Sequence, residues 1–195
     1  MKREAVIVRE TAETKVKLEL KLDGSGESSL QTGVPFLEHM LSLWSHHGSF
    51  DLKVEAEGDL QVEPHHLVED LGLCLGKALR KALGKKEGIK RYGHCILPMD
   101  EALVMVAVDL SGRPYLGYSF PLLPGKIGDF DVELVEEFLR GLANEGRITL
   151  HVRKLAGHNR HHLVEALFKG LGRALKEAVR QDDNNTKIPS TKGVL

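Results

Sequence analysis

The sequence predicts an α+β fold made of two tandem copies of one unit, each a β-sheet packed against helices. Three observations carry this. HHLVEDLGLCLGKALRKAL (65–83) matches HHLVEALFKGLGRALKEAV (161–179) without a gap, at eleven of nineteen positions. Upstream, LEHMLSLWSHHGSFDLKV (37–54) shares its apolar pattern with VEEFLRGLANEGRITLHV (135–152), and ETKVKLELKLDG (13–24) aligns with EALVMVAVDLSG (101–112). Each half also switches between alternating and helical hydrophobic periods in the same order. The repeats are expected over 1–88 and 89–180, followed by a tail at 181–195.

Residues 4–10 and 14–22 alternate like paired strands, followed by a turn at Asp23-Gly24 and a third strand expected near 27–32. Pro35 opens a helical stretch to about His47, and Gly48 stands where the helix should stop. Residues 49–57 alternate again, and Pro64 fits the first turn of a long helix that runs through Leu83 to Gly84. In the second copy, strands are expected near 91–97, 102–110 and 115–119, then a helix at 132–145, a strand at 147–155 and a helix at 159–180. The tail DDNNTKIPSTKGVL reads as irregular chain.

Composition narrows the function classes. The 195 residues can bury a substantial core, and 42% hydrophobic with 28% charged residues is ordinary for a soluble globular protein. A formal net charge of −1 gives no electrostatic case for nucleic acid or an anionic membrane. The basic run Lys77, Arg80, Lys81, Lys85, Lys86, Lys90 and Arg91 reads as a solvated helix end and loop. MKREAVIVRE does not read as a signal peptide, and no apolar run reaches membrane-spanning length. Cys74 and Cys95, without a CxxC, are expected to be buried thiols in a reducing cytoplasm.

Ten histidines are the unusual count, and six of them form the pairs His46–His47, His65–His66 and His161–His162. On a helix, His65 and Glu69 lie one turn apart on one face, a geometry that can chelate one ion. His66 is rotated from His65 by roughly 100°, so the two neighbours serve different ions or different purposes. A single HxxxE is more often an ordinary surface contact. Packing gives no reason, however, to repeat HHLVE with both imidazoles and the carboxylate at identical offsets, so metal is favoured.

Symmetry suggests an exchange between the copies. One site would be His65, Glu69, His162 and Glu137; the other would be His161, Glu165, His66 and His39. Four N/O ligands leave two octahedral positions open, which suits Mn²⁺ or Fe²⁺ and admits a substrate. His46, His47, His94, His151 and His158 lack repeat-equivalent partners. Of these, His47 fits a helix C-terminus, and His94 and His151 read as core or interface residues in strands.

FLEHM (36–40), HGSFDL (47–52), EPHHLVEDLG (63–72), PMDEAL (98–103), DLSGRPYL (109–116), AGHNRHHLVEALFKGLGRAL (156–175) and PSTKGVL (189–195) together resemble the imidazoleglycerol-phosphate dehydratase family. The resemblance runs in order from about residue 3 to the C-terminus. It implies two ribosomal protein S5 domain 2-like units, two Mn²⁺ ions per active site, and sites built between subunits of a 24-subunit cytoplasmic assembly. The ligand grouping from helix geometry agrees with the family's; at Glu137, plant members carry His. Some relatives fuse a phosphatase domain to the N-terminus, and this chain is expected to be monofunctional.

The implied reaction removes water from D-erythro-imidazoleglycerol phosphate to give imidazole-acetol phosphate in histidine biosynthesis, with the substrate's imidazolate bridging the two ions. The resemblance assigns Glu13 as a substrate contact and the best acid/base candidate, with Glu69, Glu165 and His66 sharing proton work. It assigns Arg91, Arg113, Lys169, Ser190, Thr191 and Lys192 to the phosphate. Without it, Glu13 reads as a surface carboxylate and Lys169 as a solvated helix residue. A metal-storage protein and a dinuclear metal hydrolase are the competing readings. A nucleic-acid module rests on fold analogy alone.

Overall fold

The computed structural model describes residues 2–122, 124–182, 187–193 and 195. In chain order the elements are β1 (Glu4–Glu10), β2 (Thr14–Lys21), β3 (Ser28–Gln31), α1 (Pro35–Gly48), β4 (Asp51–Gly58), α2 (His65–Leu83), β5 (Tyr92–Met99), β6 (Ala102–Asp109), β7 (Tyr115–Ser119), β8 (Lys126–Ile127), β9 (Phe130–Asp131), α3 (Leu134–Gly146), β10 (Thr149–Ala156) and α4 (Arg160–Val179). Two four-stranded sheets have the same order, β1-β2-β4-β3 and β5-β6-β10-β7. In each, the last strand runs parallel to its neighbour and the others pair antiparallel.

Alternation decides which face of each sheet is buried. Val16, Leu18 and Leu20 of β2 point inward while Lys15, Lys17 and Glu19 face out, and Val104, Val106 and Val108 do the same for β6. The inward faces meet the helices: α2 covers β1 and β2, and α4 covers β5 and β6. The helices then pack across the two copies, α2 on α3 and α1 on α4. Glycine makes both contacts close. A Cβ on Gly76 would lie 2.6 Å from the Leu142 carbonyl oxygen, and one on Gly172 would lie 2.5 Å from that of Trp44. Residues 76 and 172 are repeat equivalents, as are 142 and 44, so one contact is made twice.

Several expectations need correction. The small β8–β9 hairpin was not anticipated, although Gly128-Asp129 between Ile127 and Phe130 is a short turn signal. Helix α1 does end at Gly48, but the left-handed residue that closes it is Ser49, at φ 53°, as Arg147 is after α3. Gly48 stays helical where a Cβ would strike the Phe50 ring at 2.3 Å. Lys86, expected in solvent, is buried and donates from Nζ to the Leu110 carbonyl at 2.9 Å, and burial pulls its pKa down. His94 and His151 are exposed on the outer face of the second sheet, which rules out the core half of that expectation and leaves the interface half. Cys74 is buried but Cys95 only half so, and neither forms a disulfide.

Candidate metal centre

Helix α4 starts where it does because Asn159 caps it. The Asn159 side-chain oxygen accepts from the backbone N–H groups of His161 at 2.9 Å and His162 at 3.3 Å. This puts both histidines in the first turn and Glu165 one turn on. His161 Nε2 lies 2.9 Å from Glu165 Oε2, and His39 of α1, carried in by the α1–α4 packing, brings its Nε2 to 3.3 Å from the same oxygen. The donor atoms of His39, His161 and Glu165 all lie within 4.8 Å of one another. Adjacent ligands of an octahedral ion bound at about 2.1 Å sit roughly 3 Å apart, so the three can share one. Imidazole and carboxylate donors suit a divalent first-row metal.

Glu165 is nearly buried. Burial works to raise its pKa, but hydrogen bonds from Lys169 (Nζ–Oε1 2.6 Å), His161 and His39 prevail and hold it below the usual carboxylate range. Phe36 lies edge-on against His161, with ring centroids 5.5 Å apart.

The second histidine of each pair faces elsewhere. The ring planes are tilted by 81° between His65 and His66 and by 88° between His161 and His162, with centroids 6.0 and 6.4 Å apart. His66 Nδ1 is 2.9 Å from Asp59 Oδ2 and 3.7 Å from Glu13 Oε2. His162 Nδ1 is 2.8 Å from Glu101 Oε2 and 3.8 Å from an Asp100 oxygen. The hydrogen bond to Asp59 raises the His66 pKa; that to Glu101 raises His162 and, with backbone donors, holds Glu101 at about 2.

Of the expected set His161, Glu165, His66 and His39, the chain gathers His39, His161 and Glu165, and His66 stands apart from them. The second set, His65, Glu69, Glu137 and His162, is not gathered within one chain. His162 turns to Glu101, and among the described residues His65 and Glu69 form no ion pair with each other. Glu137 lies one turn before Gly141, which packs on the Glu69 backbone, yet its carboxylate turns to Arg140 at 3.9 Å. The physical reason is charge. His39 can hydrogen-bond to Glu165, whereas its repeat mate Glu137 would meet Glu69 as a like charge.

The expected phosphate residues divide in two. Arg91, Arg113, Ser190, Thr191 and Lys192 line one cleft, closed on one side by the tail. Arg91 grips Asp109 through Nε (2.7 Å) and Nη2 (3.2 Å), and its Nη1 donates to the Pro189 carbonyl at 2.9 Å. Pro189 of the tail is thus tied to the guanidinium. Lys169 is not in that cleft; it sits at the metal-ligand cluster on Glu165.

Three carboxylates at these sites escaped sequence reasoning. Glu101 could have been found, because the repeat alignment places it opposite Glu13. Asp59 carries no motif, and Asp109 opens DLSGRPYL without a role legible there; only the fold brings them to His66 and Arg91.

Comparison with known proteins agrees with this architecture. A sequence model described as imidazoleglycerol-phosphate dehydratase matches residues 32–175. A protein of that name from Moorella thermoacetica is 58% identical over the whole of both chains. Another, from Syntrophobacter fumaroxidans, is 55% identical over 100% of this chain and 98% of its own. The crystal structure of the Staphylococcus aureus enzyme superposes with a TM-score of 0.83 at 39% identity, over 91% of this chain and 99% of its own. That of the Pyrococcus furiosus enzyme gives 0.84 at 41%, over 97% and 100%. The chain belongs to the imidazoleglycerol-phosphate dehydratase family, hydro-lyases of histidine biosynthesis.

Proposed function

We propose that the protein converts D-erythro-imidazoleglycerol phosphate to imidazole-acetol phosphate with two Mn²⁺ ions per active site. The observation that carries the reading is the division of each histidine pair. His161 joins Glu165 and His39, while His162 and His66 are held by carboxylates through Nδ1, with Nε2 free of any partner among the described residues. A ring fixed at one nitrogen with the other directed away is poised to ligate an ion held elsewhere. We assign that ion to the helix pair of a neighbouring subunit. One ion takes His39, His161 and Glu165 of one chain with His66 of the next. The other takes His65, Glu69 and Glu137 of that next chain with His162 of the first. A closed assembly of 24 subunits accommodates such shared sites, and two unpaired cysteines fit a reducing cytoplasm.

Held by those residues, the two ions would supply Lewis acidity to the substrate imidazole and help to orient it. The protein's own groups move the protons. Removal of water needs one carbon-bound proton taken and one proton given to the departing hydroxyl, with no net redox change. Glu13, more than half exposed at the start of β2 and 3.7 Å from His66, is the group we assign to this exchange. His66 stands beside it, and we assign Glu69 and Glu165, as further ligands, a share of the proton work. Arg91, Arg113, Ser190, Thr191 and Lys192 offer cationic and hydroxyl donors to the phosphate, and Lys169 offers a further cation from the metal side.

A storage protein would need the histidine clusters but not the Arg91–Lys192 cleft, which favours the enzyme. The test is dehydration of imidazoleglycerol phosphate by protein stripped of metal and reloaded with Mn²⁺. Turnover is expected in the parent and absent in His66→Ala and His162→Ala. Metal uptake without turnover in the parent would move the storage reading to the front.

A further inference from the structure

The two offset histidines are held by different means, and the difference bears on Glu13. Repeat equivalence pairs Glu13 with Glu101, each just before the second strand of its copy. In the second copy that carboxylate is fully committed. Glu101 Oε2 takes His162 Nδ1 at 2.8 Å, and Oε1 accepts from the backbone N–H groups of Asn159 at 2.8 Å and His158 at 3.3 Å. In the first copy Glu13 stays 3.7 Å from His66, and Asp59, the first residue past β4, holds the ring at 2.9 Å. Among the described residues, Asp59 Oδ1 is buried without a hydrogen-bond partner, so the carboxylate serves the ring through Oδ2. The residue past β10 in the second copy is Gly157, at φ 107°, where a Cβ would lie 2.7 Å from Ala102 Cα. No side chain fits there, so the second copy has no counterpart to Asp59.

We propose that Asp59 and Glu101 are positioning residues that present Nε2 of His66 and His162 outward as ligands, and that Asp59, by taking over this duty, leaves Glu13 free to face the substrate. Two carboxylates of common descent then do different work. Glu101 is locked as a ring holder, and Glu13 keeps an exposed carboxylate beside the reacting atoms. The inference rests on the metal-site reading above. Partners of this kind orient a ligating ring, and losing one typically lowers metal affinity by about 10–100-fold.

The test is a titration of the assembled, metal-stripped protein with Mn²⁺, the free ion read by electron paramagnetic resonance. Wild type is expected to bind two ions per chain. Asp59→Ala and Glu101→Ala should each weaken one ion by about 10–100-fold and leave the other unchanged. Glu101→Gln keeps an acceptor for the ring and for the backbone of α4, so it should fold as wild type and fall between wild type and Glu101→Ala. Glu13→Gln should bind both ions as wild type and lose kcat. Wild-type isotherms for Asp59→Ala and Glu101→Gln alike would overturn the proposal, as would Glu13→Gln weakening an ion as much as Asp59→Ala does. If wild type itself takes up no Mn²⁺, the metal-site reading falls and this one with it; uptake with unaltered variants removes this one alone.

Discussion

Replacing Arg91 by Met tests the phosphate cleft, and the magnitude follows from counting donors. A guanidinium carries five N–H donors. Asp109 takes two of them and the Pro189 carbonyl a third, which leaves two that can reach a phosphate. Hydrogen bonds to charged groups contribute roughly 1.5–3 kcal/mol each, so losing both should cost about 3 kcal/mol at the low end. That corresponds to a loss in kcat/KM on the order of 100-fold. Asp109 is not stranded by the change, since Arg113 Nη2 stays 3.8 Å from its Oδ2. The assay is steady-state dehydration at saturating Mn²⁺, with Mn²⁺ stoichiometry measured in parallel. Most of the loss should appear in KM, because the phosphate lies away from the reacting carbons, and the ions should still bind. A change under about fivefold, or a loss of metal with KM unaltered, would refute the assignment of this cleft to the phosphate.

Three further outcomes are expected. Removing residues 189–195 should raise KM sharply and leave Mn²⁺ binding intact, since the tail touches Arg91 and not the histidine cluster; substrate kinetics and metal titration of the truncated chain check both halves. Gly172→Ala forces a methyl group against the Trp44 carbonyl and should destabilise the fold by about 1–3 kcal/mol, read from urea unfolding. Asp51 is held below the usual carboxylate range by the Ser25 backbone N–H first, with Glu27 N–H and the Ser25 hydroxyl adding to it. A depressed carboxylate stabilises fully above its unfolded value near 4, and that stability is lost as pH falls through the folded value. Asp51→Asn should therefore be less stable than wild type at pH 7 and lose less on acidification, as thermal unfolding from pH 7 to 3 would report.

Much of the fold was legible because local and global signals agree. Pro35 and Pro64 mark helix starts, β2 and β6 alternate cleanly, and HHLVE recurs at the same helical offset in α2 and α4. The helical offset also foretold that adjacent rings would diverge. What the sequence hid is non-local. Lys86 looks like one more solvated lysine until a left-handed turn points it at the Leu110 carbonyl. Asp59 is a loop acid with no motif, recognisable only once β4 delivers it to His66. Glu101 was visible as the mate of Glu13, but its role was not, because what distinguishes the two is a neighbouring Asp59 in one copy and Gly157 in the other. The exchange between copies placed His66 with His39, His161 and Glu165, and one chain brings together only the last three.

The most direct test of that sharing is subunit mixing. His66→Ala breaks the side of the site given by the α2–α3 pair, and His162→Ala breaks the side given by the α1–α4 pair. Each protein alone should be inactive. When the two are dissociated together in equal amounts and reassembled with Mn²⁺, about a quarter of the interfaces should join two intact sides, so activity should return to about a quarter of the wild-type level. A reassembled mixture as inactive as its parents would contradict the shared site.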